Sequence, residues 1–421
     1  RIGPKDIKGA LYEGKLEDGT PAYLVGNDSY YLRDGLYGDS TGDYPDNAER
    51  FIFFCRSVLE ACKALRFQPD IIHCNDWQTG LLPIYLKSLY ADDRFFKDTR
   101  TVMTLHNLAY QGNFPASMVS AAGLPERWFT PEGMEFFGQF SFLKSGLMFS
   151  DLLSTVSPAY SREIQTGEFG CGMDGLLRKR TEDLQGILNG VDYREWDPAA
   201  DLRIKKKYSA KNLDGKQDCK KALIRRFSLK ADTNTPVFGM VTRLAEQKGI
   251  ELVLESLTSL LEAGVAFVIL GTGERRYEDQ IRKLCKRHPG KFASLIGFDE
   301  DASHQIMAGS DMVLVPSQYE PCGLTQMYGL KYGTVPLVRA VGGLRDSIQE
   351  FNPRTRSGTG FKFKPFKSKY LLRACEKALL IYRRKNLWRR LMLNGMEKDY
   401  SWNRAARKYV RLYLKALKKK R

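Results

Sequence analysis

The fold of this 421-residue chain is decided by residues 237–249, VFGMVTRLAEQKG, and by the helical stretch that follows them. The first five residues, Val237–Val241, have the length and apolar character of a buried strand. A polar loop comes next and leads at Gly249 into an amphipathic segment of helix length. A buried strand, a short loop and a helix in this order are the repeating unit of a parallel α/β sheet.

The same unit recurs four times after this first one. Each short run of apolar or β-branched residues is followed by a segment of helical character. The further predicted strands are residues 266–270, 292–296, 312–315 and 335–338. Together these units predict a complete Rossmann-like domain in the C-terminal half of the chain.

The N-terminal half shows a shorter series of the same kind. It begins with a hairpin around the Asp18-Gly19 turn and a helix from about Asn47, where Asp46 and Glu49 have capping-box spacing. The other predicted elements are strands 70–74, 101–106 and 152–156 and helices 80–89 and 131–148. They make only part of a doubly wound sheet, and the chain does not start with Met. We therefore expect the natural N-terminus to be missing.

Two domains are predicted on either side of a turn-rich crossing at residues 187–198, which contains Asn189-Gly190 and ends in Asp197-Pro198. The first covers residues 1–190 and a C-terminal helix at about 400–421. This helix has no sheet of its own, so we expect it to pack back on the first domain. The second domain covers residues 191–399.

Composition makes several classes of protein improbable. The chain is 43% hydrophobic but has no run of about 18 uncharged apolar residues, so no membrane span or membrane partner is expected. None of the eight cysteines has the spacing of a zinc or redox motif, and the four histidines lack the i, i+4 spacing of a helical metal site. We predict reduced thiols, a cytoplasmic location and no metal.

The net charge of +17 makes polyanions plausible partners on electrostatic grounds. The basic residues are spread along the chain, however, and reach their highest density only in the tail at residues 415–421. The sequence contains neither an RNA-binding aromatic motif nor a zinc finger. We therefore predict a solvated basic surface and no nucleic-acid partner, with a polyanion-binding protein as an alternative.

The positions directly after the strands are the candidate ligand sites, because open α/β sheets bind ligands beyond the carboxyl ends of their strands. Arg243 and Lys248 follow the first strand of the second domain and precede a helix. Two cations and free backbone N–H groups at such a place suit a diphosphate, although both side chains could equally be surface charges. Gly271 and Gly273 follow the next strand, where they either admit a ligand close to the backbone or form a tight turn.

Three further positions carry polar groups after strands. Glu320 lies between residues 312–315 and a helix start rich in small residues, where a carboxylate and backbone amides can face one point. In the first domain, His106 and Asn107 end a strand and can bind sugar hydroxyls or polarise a bond. Asp76 is a carboxylate beside an aromatic residue after another strand. A lone histidine or glutamate at such a position is more often structural, so context has to decide.

That context is a resemblance to bacterial glycogen synthases and plant starch synthases. Segments typical of this family occur in the family's order and span nearly the whole chain. They are residues 35–39 (GLYGD), 43–47 (DYPDN), 73–80, 104–115, 154–160, 186–198, 243–249, 320–329 and 342–344.

The resemblance implies a GT-B fold, in which two Rossmann-like α/β domains face each other across a cleft, here with an incomplete N-terminal domain. It also implies an enzyme without metal or cofactor. The implied reaction transfers glucose, with retention, from ADP-glucose, or alternatively UDP-glucose, to the non-reducing end of an α-1,4-glucan in glycogen or starch synthesis.

The resemblance further implies roles for the candidate residues. Arg243 and Lys248 neutralise the leaving diphosphate, and Glu320 holds the donor glucose. His106 and Asn107 close on the donor from the opposite domain, and Asp76 lies near the reacting sugar. The remaining implied donor contacts lie in one stretch and comprise the backbone at Cys322 and Gly323, with Leu324, Thr325 near the distal phosphate, and Tyr328.

Two departures qualify the resemblance. Related GT-B transferases carry a second Glu eight positions after the first, whereas this sequence, like its family, has Tyr328, so ribose recognition must differ. The family's Lys-Thr-Gly-Gly-Leu phosphate loop is not found in the 421 residues. The missing loop leaves a non-catalytic glucan- or nucleotide-binding fragment as an alternative. A sucrose synthase-like or trehalose-forming transferase is a second alternative, against which residues 320–326 (EPCGLTQ) argue. A PLP-dependent phosphorylase is a third, although no Schiff-base lysine context is recognisable.

Overall fold

A computed structural model describes residues 2–39 and 41–419 of the chain. The chain forms two compact units. Unit 1 comprises Arg1–Thr155, Glu163–Gln185 and Tyr409–Arg421, and unit 2 comprises Val156–Arg162 and Gly186–Lys408. The predicted domain boundary at residues 190 and 191 stays a prediction, and the last two residues of the predicted first domain, 420 and 421, lie outside the described part.

Unit 1 contains eleven described strands and the first helices. Its strands are β1 (Ala10–Lys15), β2 (Pro21–Gly26), β3 (Gly38–Asp39), β4 (Gly42–Asp43), β5 (Ile71–Asn75), β6 (Arg100–Leu105), β7 (Asn113–Pro115), β8 (Glu135–Phe136), β9 (Gln139–Ser141), β10 (Leu152–Thr155) and β11 (Leu184–Gly186). The helices up to this point are α1 (Asp28–Tyr31), α2 (Asn47–Ala64), α3 (Leu82–Lys87), α4 (Met118–Ala121), α5 (Phe142–Phe149), α6 (Pro158–Glu163) and α7 (Asp174–Lys179). Most of α6 belongs to unit 2.

The main sheet of unit 1 has the order β11-β10-β6-β5, and β5, β6 and β10 run parallel. Its central strand β6 is buried at five of six positions, as expected for a strand covered on both faces. The pairs β1-β2 and β3-β4 form separate hairpins, and β7, β9 and β8 form a small antiparallel sheet.

Unit 2 is a Rossmann-like domain with a six-stranded parallel sheet. Its strands are β12 (Val237–Val241), β13 (Ala266–Gly271), β14 (Phe292–Ile296), β15 (Met312–Val315), β16 (Val335–Arg339) and β17 (Phe361–Phe363). Its helices are α8 (Asp214–Arg226), α9 (Ile250–Glu262), α10 (Arg275–Arg287), α11 (Glu300–Gly309), α12 (Thr325–Lys331), α13 (Gly342–Ser347), α14 (Ser368–Tyr382) and α15 (Lys385–Met396). The strand order is β14-β13-β12-β15-β16-β17.

The last helix, α16 (Trp402–Leu417), begins in unit 2 and ends in unit 1. In unit 1 its Tyr413 hydroxyl lies 2.8 Å from His73 Nδ1, and the Lys415 ammonium donates to the Glu182 carbonyl at 2.9 Å. These contacts tie the end of the helix to strand β5 and to the segment that precedes β11.

The five strands predicted for the C-terminal half are confirmed within one residue at each end. Two other predictions are wrong. Residues 131–141 are not helical, because Phe137 and Gly138 both have positive φ, which turns the chain between β8 and β9, and a helix begins only at Phe142. Asp46 forms no capping hydrogen bond and instead binds the Arg33 guanidinium through both of its oxygens, at 2.7 and 2.6 Å.

Candidate active site

The loops after β12 and β15 meet where the strand order of the large sheet reverses, which is where such sheets open a crevice. The Gln318 backbone N–H donates to the Gln247 carbonyl at 2.8 Å, and the Gln247 side chain donates to the Tyr319 carbonyl at 3.1 Å. Gly249 has a φ of 70°, and a Cβ there would lie 2.3 Å from the Pro316 carbonyl oxygen. The two loops therefore pack as one surface, and this packing requires glycine at position 249.

An ion pair joins the two loops. Lys248 Nζ lies 2.7 Å from Glu320 Oε2, and the Ser317 hydroxyl donates to the same oxygen at 2.9 Å. Glu320 is only 7% exposed and Ser317 only 1%. A buried carboxylate needs an opposite charge and hydrogen bonds, and these two partners supply both. The site thus holds a cation and an anion side by side.

The backbone around Glu320 packs tightly against the start of α13. The Gly343 N–H donates to the Glu320 carbonyl at 3.0 Å. Gly342 has a φ of 43°, and a Cβ on it would lie 2.0 Å from the same oxygen. The Gln326 side chain donates to the carbonyls of Cys322 and Gly323 at 3.2 and 2.8 Å. These contacts fix the peptide groups of Cys322 and Gly323, which the family resemblance implies as donor contacts.

A small cavity of about 70 Å³ opens at the ion pair. The predicted site residues on its wall are Lys248, Glu320, Gly323, Leu324 and Thr325. A second cavity, of about 390 Å³, lies beside it, and the two share Val241 and Thr242 at the end of β12.

The larger cavity has a mixed lining of charged, aromatic and backbone groups. Arg243 and Gly271 lie on its wall, as do Trp196, Phe298 and Asp299. Unit 2 therefore brings seven of the predicted residues together around two adjoining cavities.

The glycines at and after the end of β13 have a structural explanation. A Cβ on Gly271 would lie 1.9 Å from the Thr242 carbonyl oxygen, and one on Gly273 would lie 2.3 Å from the Leu244 carbonyl oxygen. Both positions need glycine because the loop after β12 passes directly over them. Gly271 still lines the larger cavity, whereas Gly273 lines neither cavity.

Cys322 and Tyr328 lie behind the cavity walls. Burial raises the pKa of the Cys322 thiol to about 12, so the thiol stays protonated at neutral pH. The Tyr328 ring stacks on the Trp196 ring with centroids 3.9 Å apart and planes 3° from parallel. Neither residue lines a described cavity of this site.

Unit 1 brings its predicted residues together at the ends of β5 and β6. Asp76 follows β5 with a φ of 55°, a conformation that costs a non-glycine residue about 1–3 kcal/mol. Its Oδ1 accepts the backbone N–H of His106 at 2.7 Å. Burial raises the pKa of Asp76, and the bonds from the backbone N–H groups of His106 and Asn107 oppose this rise. The carboxylate is thus fixed by backbone groups.

The side chains of the other two unit-1 residues have local partners. His106 Nε2 lies 2.9 Å from Asn75 Oδ1, and Asn107 Oδ1 accepts the Ala109 backbone N–H at 3.1 Å. Both residues remain partly exposed. His106 therefore has a fixed ring and a solvent-accessible position, which suits contact with a ligand.

Larger cavities lie at the opposite, amino ends of the strands. One of about 600 Å³ lies beside Arg100 and Asp151 in unit 1, and one of about 550 Å³ lies beside Asn234 and Asp311 in unit 2. Size alone would therefore not locate the site. Across residues 2–39 and 41–419, no cluster of His, Cys, Asp or Glu could hold a metal ion, and no helix could cross a bilayer.

Several residues of the site were not singled out from the sequence, among them Ser317, Trp196 and Phe298. Ser317 lies in the stretch that drew attention to Glu320, but its bond to that carboxylate has no local signal. Trp196 and Phe298 reach the larger cavity from loops distant in sequence from Arg243. Ser317 and Phe298, which follow β15 and β14 by two positions each, could have been found by the rule of positions after strands, whereas Trp196 could not.

Comparisons with known proteins agree with this architecture. Residues 3–179 match the model of the starch synthase catalytic domain, and residues 223–390 match that of glycosyl transferases group 1. The chain is 48% identical to glycogen synthase 2 of Geobacter sulfurreducens over 96% of the chain and 84% of that protein. It belongs to the glycogen and starch synthase family. Glycogen synthase of Thermotoga maritima is 46% identical over 98% of the chain and 85% of its own length.

Solved structures give the fold of this family member. The catalytic domain of starch synthase IV from Arabidopsis thaliana, bound to ADP and acarbose, matches with a TM-score of 0.90 and 33% identity over 98% of the chain and 85% of that structure. A sucrose-phosphate synthase from Thermosynechococcus elongatus matches with a TM-score of 0.60 at 16% identity, over 99% of the chain and 87% of that structure, which concerns the fold alone. The predicted GT-B fold class is confirmed, and the chain is a glycosyltransferase of the glucan-synthase type.

Proposed function

We propose that this family member transfers glucose from ADP-glucose to the non-reducing end of an α-1,4-glucan with retention of configuration. The observation that carries the proposal is the Lys248–Glu320 ion pair, set between two loops at the switch point of a Rossmann-like sheet. An adenosine diphosphate donor is supported by the ADP in the related starch synthase IV structure. UDP-glucose is the alternative donor.

The leaving diphosphate is assigned to the cations of the loop after β12. Lys248 lines the smaller cavity and Arg243 the larger one, and the wall that the two cavities share carries the start of this loop. Negative charge grows on the leaving phosphate as the glycosidic bond breaks. Fixed cations at that point stabilise the transition state more than the ground state. Thr325, on the same wall as Lys248, is assigned to the distal phosphate.

The donor glucose is assigned to Glu320 and the peptide groups after it. A carboxylate can accept hydrogen bonds from sugar hydroxyls, and the backbone N–H groups near Cys322 and Gly323 can donate to sugar oxygens. Glu320 already uses one oxygen to bind Lys248 and Ser317. It is therefore suited to orienting the sugar and poorly suited to forming a covalent intermediate.

Retention then proceeds by attack on the same face of the sugar. Among the described residues, Glu320 is the only carboxylate on the wall of the smaller cavity. The leaving phosphate would accept the proton of the acceptor hydroxyl as the new bond forms, so no protein nucleophile is required. His106, Asn107 and Asp76 are assigned to the transfer step, with the Asp76 carboxylate stabilising positive charge on the reacting sugar.

The test is to incubate the protein with ADP-glucose and glycogen and to measure ADP release together with glucan chain length. We expect both to rise in step, with UDP-glucose giving a lower kcat/KM. Proton NMR of the first product should show an α-linkage. ADP release without chain growth would indicate hydrolysis, and binding of glycogen or ADP without turnover would favour the non-catalytic alternative.

A further inference from the structure

A stack of three aromatic rings lies beside the larger cavity. The Trp196 ring stacks on His304 with centroids 3.8 Å apart and on Tyr328 with centroids 3.9 Å apart. The interplanar angles are 19° and 3°. Two rings stacked at such distances cannot share one face of an indole, so they cover its opposite faces. Trp196 is therefore held between them like the middle layer of a sandwich.

The base of the stack is anchored in the core of unit 2. His304 is fully buried, and its Nδ1–H donates to Asp201 Oδ2 at 2.8 Å. The Tyr332 hydroxyl donates to the same oxygen at 2.6 Å. Because the carboxylate only accepts hydrogen bonds, it fixes both the tautomer and the orientation of the imidazole. The plane of Trp196 is thereby fixed as well.

The loop that carries Trp196 is held by a turn of its own and by α11. The Arg203 backbone N–H donates to Asp201 Oδ1 at 2.8 Å. The Arg203 guanidinium lies 3.4 Å from Glu300 and 3.2 Å from Asp301, both in the first turn of α11. Trp196 is therefore part of a rigid wall, although its own segment is rich in turns.

The consequence is that the cavity meets the edge of the indole. Trp196 lines the larger cavity while both of its faces are covered. The edge of an indole is electropositive and carries its only hydrogen-bond donor, the Nε1–H. Such an edge suits acceptor atoms of a ligand, such as the oxygens of a ribose or the ring nitrogens of a base.

We propose that Trp196 is a specificity-determining residue that recognises hydrogen-bond acceptors of the donor's nucleoside by its edge. In this scheme Tyr328 is a positioning residue, which acts on the ligand only through Trp196. The inference rests on the proposed function, since it requires that unit 2 binds a nucleotide donor. It also gives a role to Tyr328, which stands at the position where related transferases carry a second Glu.

The experiment measures the affinities of ADP and of inorganic pyrophosphate by isothermal titration calorimetry. The proteins are the wild type, Trp196→Phe, Tyr328→Leu and, as a matched control, Trp128→Phe in unit 1, whose ring stacks on Phe149. Phenylalanine keeps a ring in the stack but removes the donor of position 196. We expect Trp196→Phe to weaken ADP about five- to tenfold, as for one lost hydrogen bond, and to leave pyrophosphate unchanged.

Trp128→Phe should bind both ligands like the wild type, whereas Tyr328→Leu uncovers one face of Trp196 and should weaken ADP while leaving pyrophosphate unchanged. In turnover assays, Trp196→Phe should raise the KM for ADP-glucose with little change in kcat. Equal affinity of Trp196→Phe and wild type for ADP would overturn the inference alone. An equal loss of ADP and pyrophosphate would overturn it too, because a purely structural role gives that result. Failure of the wild type to bind ADP would overturn this inference and the proposed donor together.

Discussion

The two units hold their candidate residues by different means. In unit 2 the charges are fixed by each other, since Lys248 and Glu320 form an ion pair within 2.7 Å. In unit 1 the Asp76 carboxylate is fixed by the backbone N–H of His106, and the chain at Asp76 adopts a φ of 55° to allow it. One site is organised by side-chain charge and the other by backbone geometry.

The difference has consequences for how each site responds to change. Removing one charge in unit 2 leaves its partner buried and uncompensated, which is costly. Removing the charge of Asp76 while keeping its shape leaves the hydrogen bond to His106 in place. Substitutions in unit 2 should therefore affect ligand binding and turnover together, whereas the Asp76 charge can be tested almost alone.

The largest effect is expected from Lys248→Ala. The substitution removes a cation from the leaving phosphate and leaves Glu320 without its counter charge, so we expect kcat for ADP-glucose to fall by about 10³-fold. The measurement is steady-state ADP release with glycogen as acceptor. Lys283→Ala, at an exposed position of α10, is the control and should retain wild-type turnover. Near-normal turnover of Lys248→Ala would show that the Lys248 ammonium does not stabilise the leaving phosphate.

The next effect concerns the Asp76 charge. Asp76→Asn keeps the acceptor for His106 but removes the negative charge, and we expect kcat to fall by about 10²-fold. Burial raises the pKa of Asp76, so the carboxylate becomes protonated at a higher pH than an ordinary aspartate. The acid limb of the wild-type kcat should therefore lie at a higher pH than an ordinary aspartate would give, and this limb should be absent in the variant.

A control for Asp76 lies at the other end of the same strand. Asp70 is an exposed residue directly before β5, as Asp76 directly follows it. Asp70→Asn should keep both the turnover and the acid limb of the wild type. If Asp70→Asn and Asp76→Asn gave the same pH profile, the acid limb of kcat would come from a group other than Asp76.

The two units also differ in how far sequence predicts them. Five of the six described strands of unit 2 were predictable because they are buried apolar runs with a helix after each, as at Val237–Val241. Residues 131–141 of unit 1 were not, because helical periodicity does not reveal that Phe137 and Gly138 take positive φ. The three-residue strand β17 was missed because so short a run has no detectable period.

The candidate site shows the same limit. Positions after strands, together with the family resemblance, led to Lys248 and Glu320, although these lie 72 positions apart. The rule could not foresee that Tyr328 would lie beneath Trp196, because stacking between distant loops has no local pattern. The roles of all these residues in catalysis stay predictions until they are measured.

A smaller effect on turnover, with a clear effect on stability, is expected from Gly249→Ala. The new Cβ would meet the Pro316 carbonyl oxygen at 2.3 Å and push the loop that carries Ser317 and Glu320. We expect roughly a tenfold loss of kcat/KM, as for about 1.4 kcal/mol of lost transition-state stabilisation, and a lowered Tm. Gly264→Ala is the matched control, since Gly264 has a φ of 83° but a Cβ placed on it would have nothing within 4 Å.

The control should lose only the strain of a left-handed residue, roughly 1–2 kcal/mol, and keep full activity. Activity lost equally in both variants would mean that helix α9, which lies between the two glycines, matters more than the packing of the loops. Activity lost only in Gly249→Ala would show that close loop packing positions the ion pair.

The smallest effect concerns stability in unit 1 and leaves the mechanism untouched. Burial, with a contribution from His106, lowers the pKa of His73 to about 4, against about 6.5 in an unfolded chain. Between these values the unfolded state binds more protons, so this contribution to stability is complete above about pH 6.5 and is lost as the pH falls towards about 4. His73→Gln removes the titrating imidazole. We therefore expect the unfolding free energy, measured by urea melts, to fall between about pH 7.5 and 5 by roughly 1–2 kcal/mol less in the variant than in the wild type. An equal fall of the unfolding free energy in both proteins would mean that the His73 imidazole binds its proton as readily in the folded chain as in the unfolded one. The acid sensitivity would then come from the carboxylates.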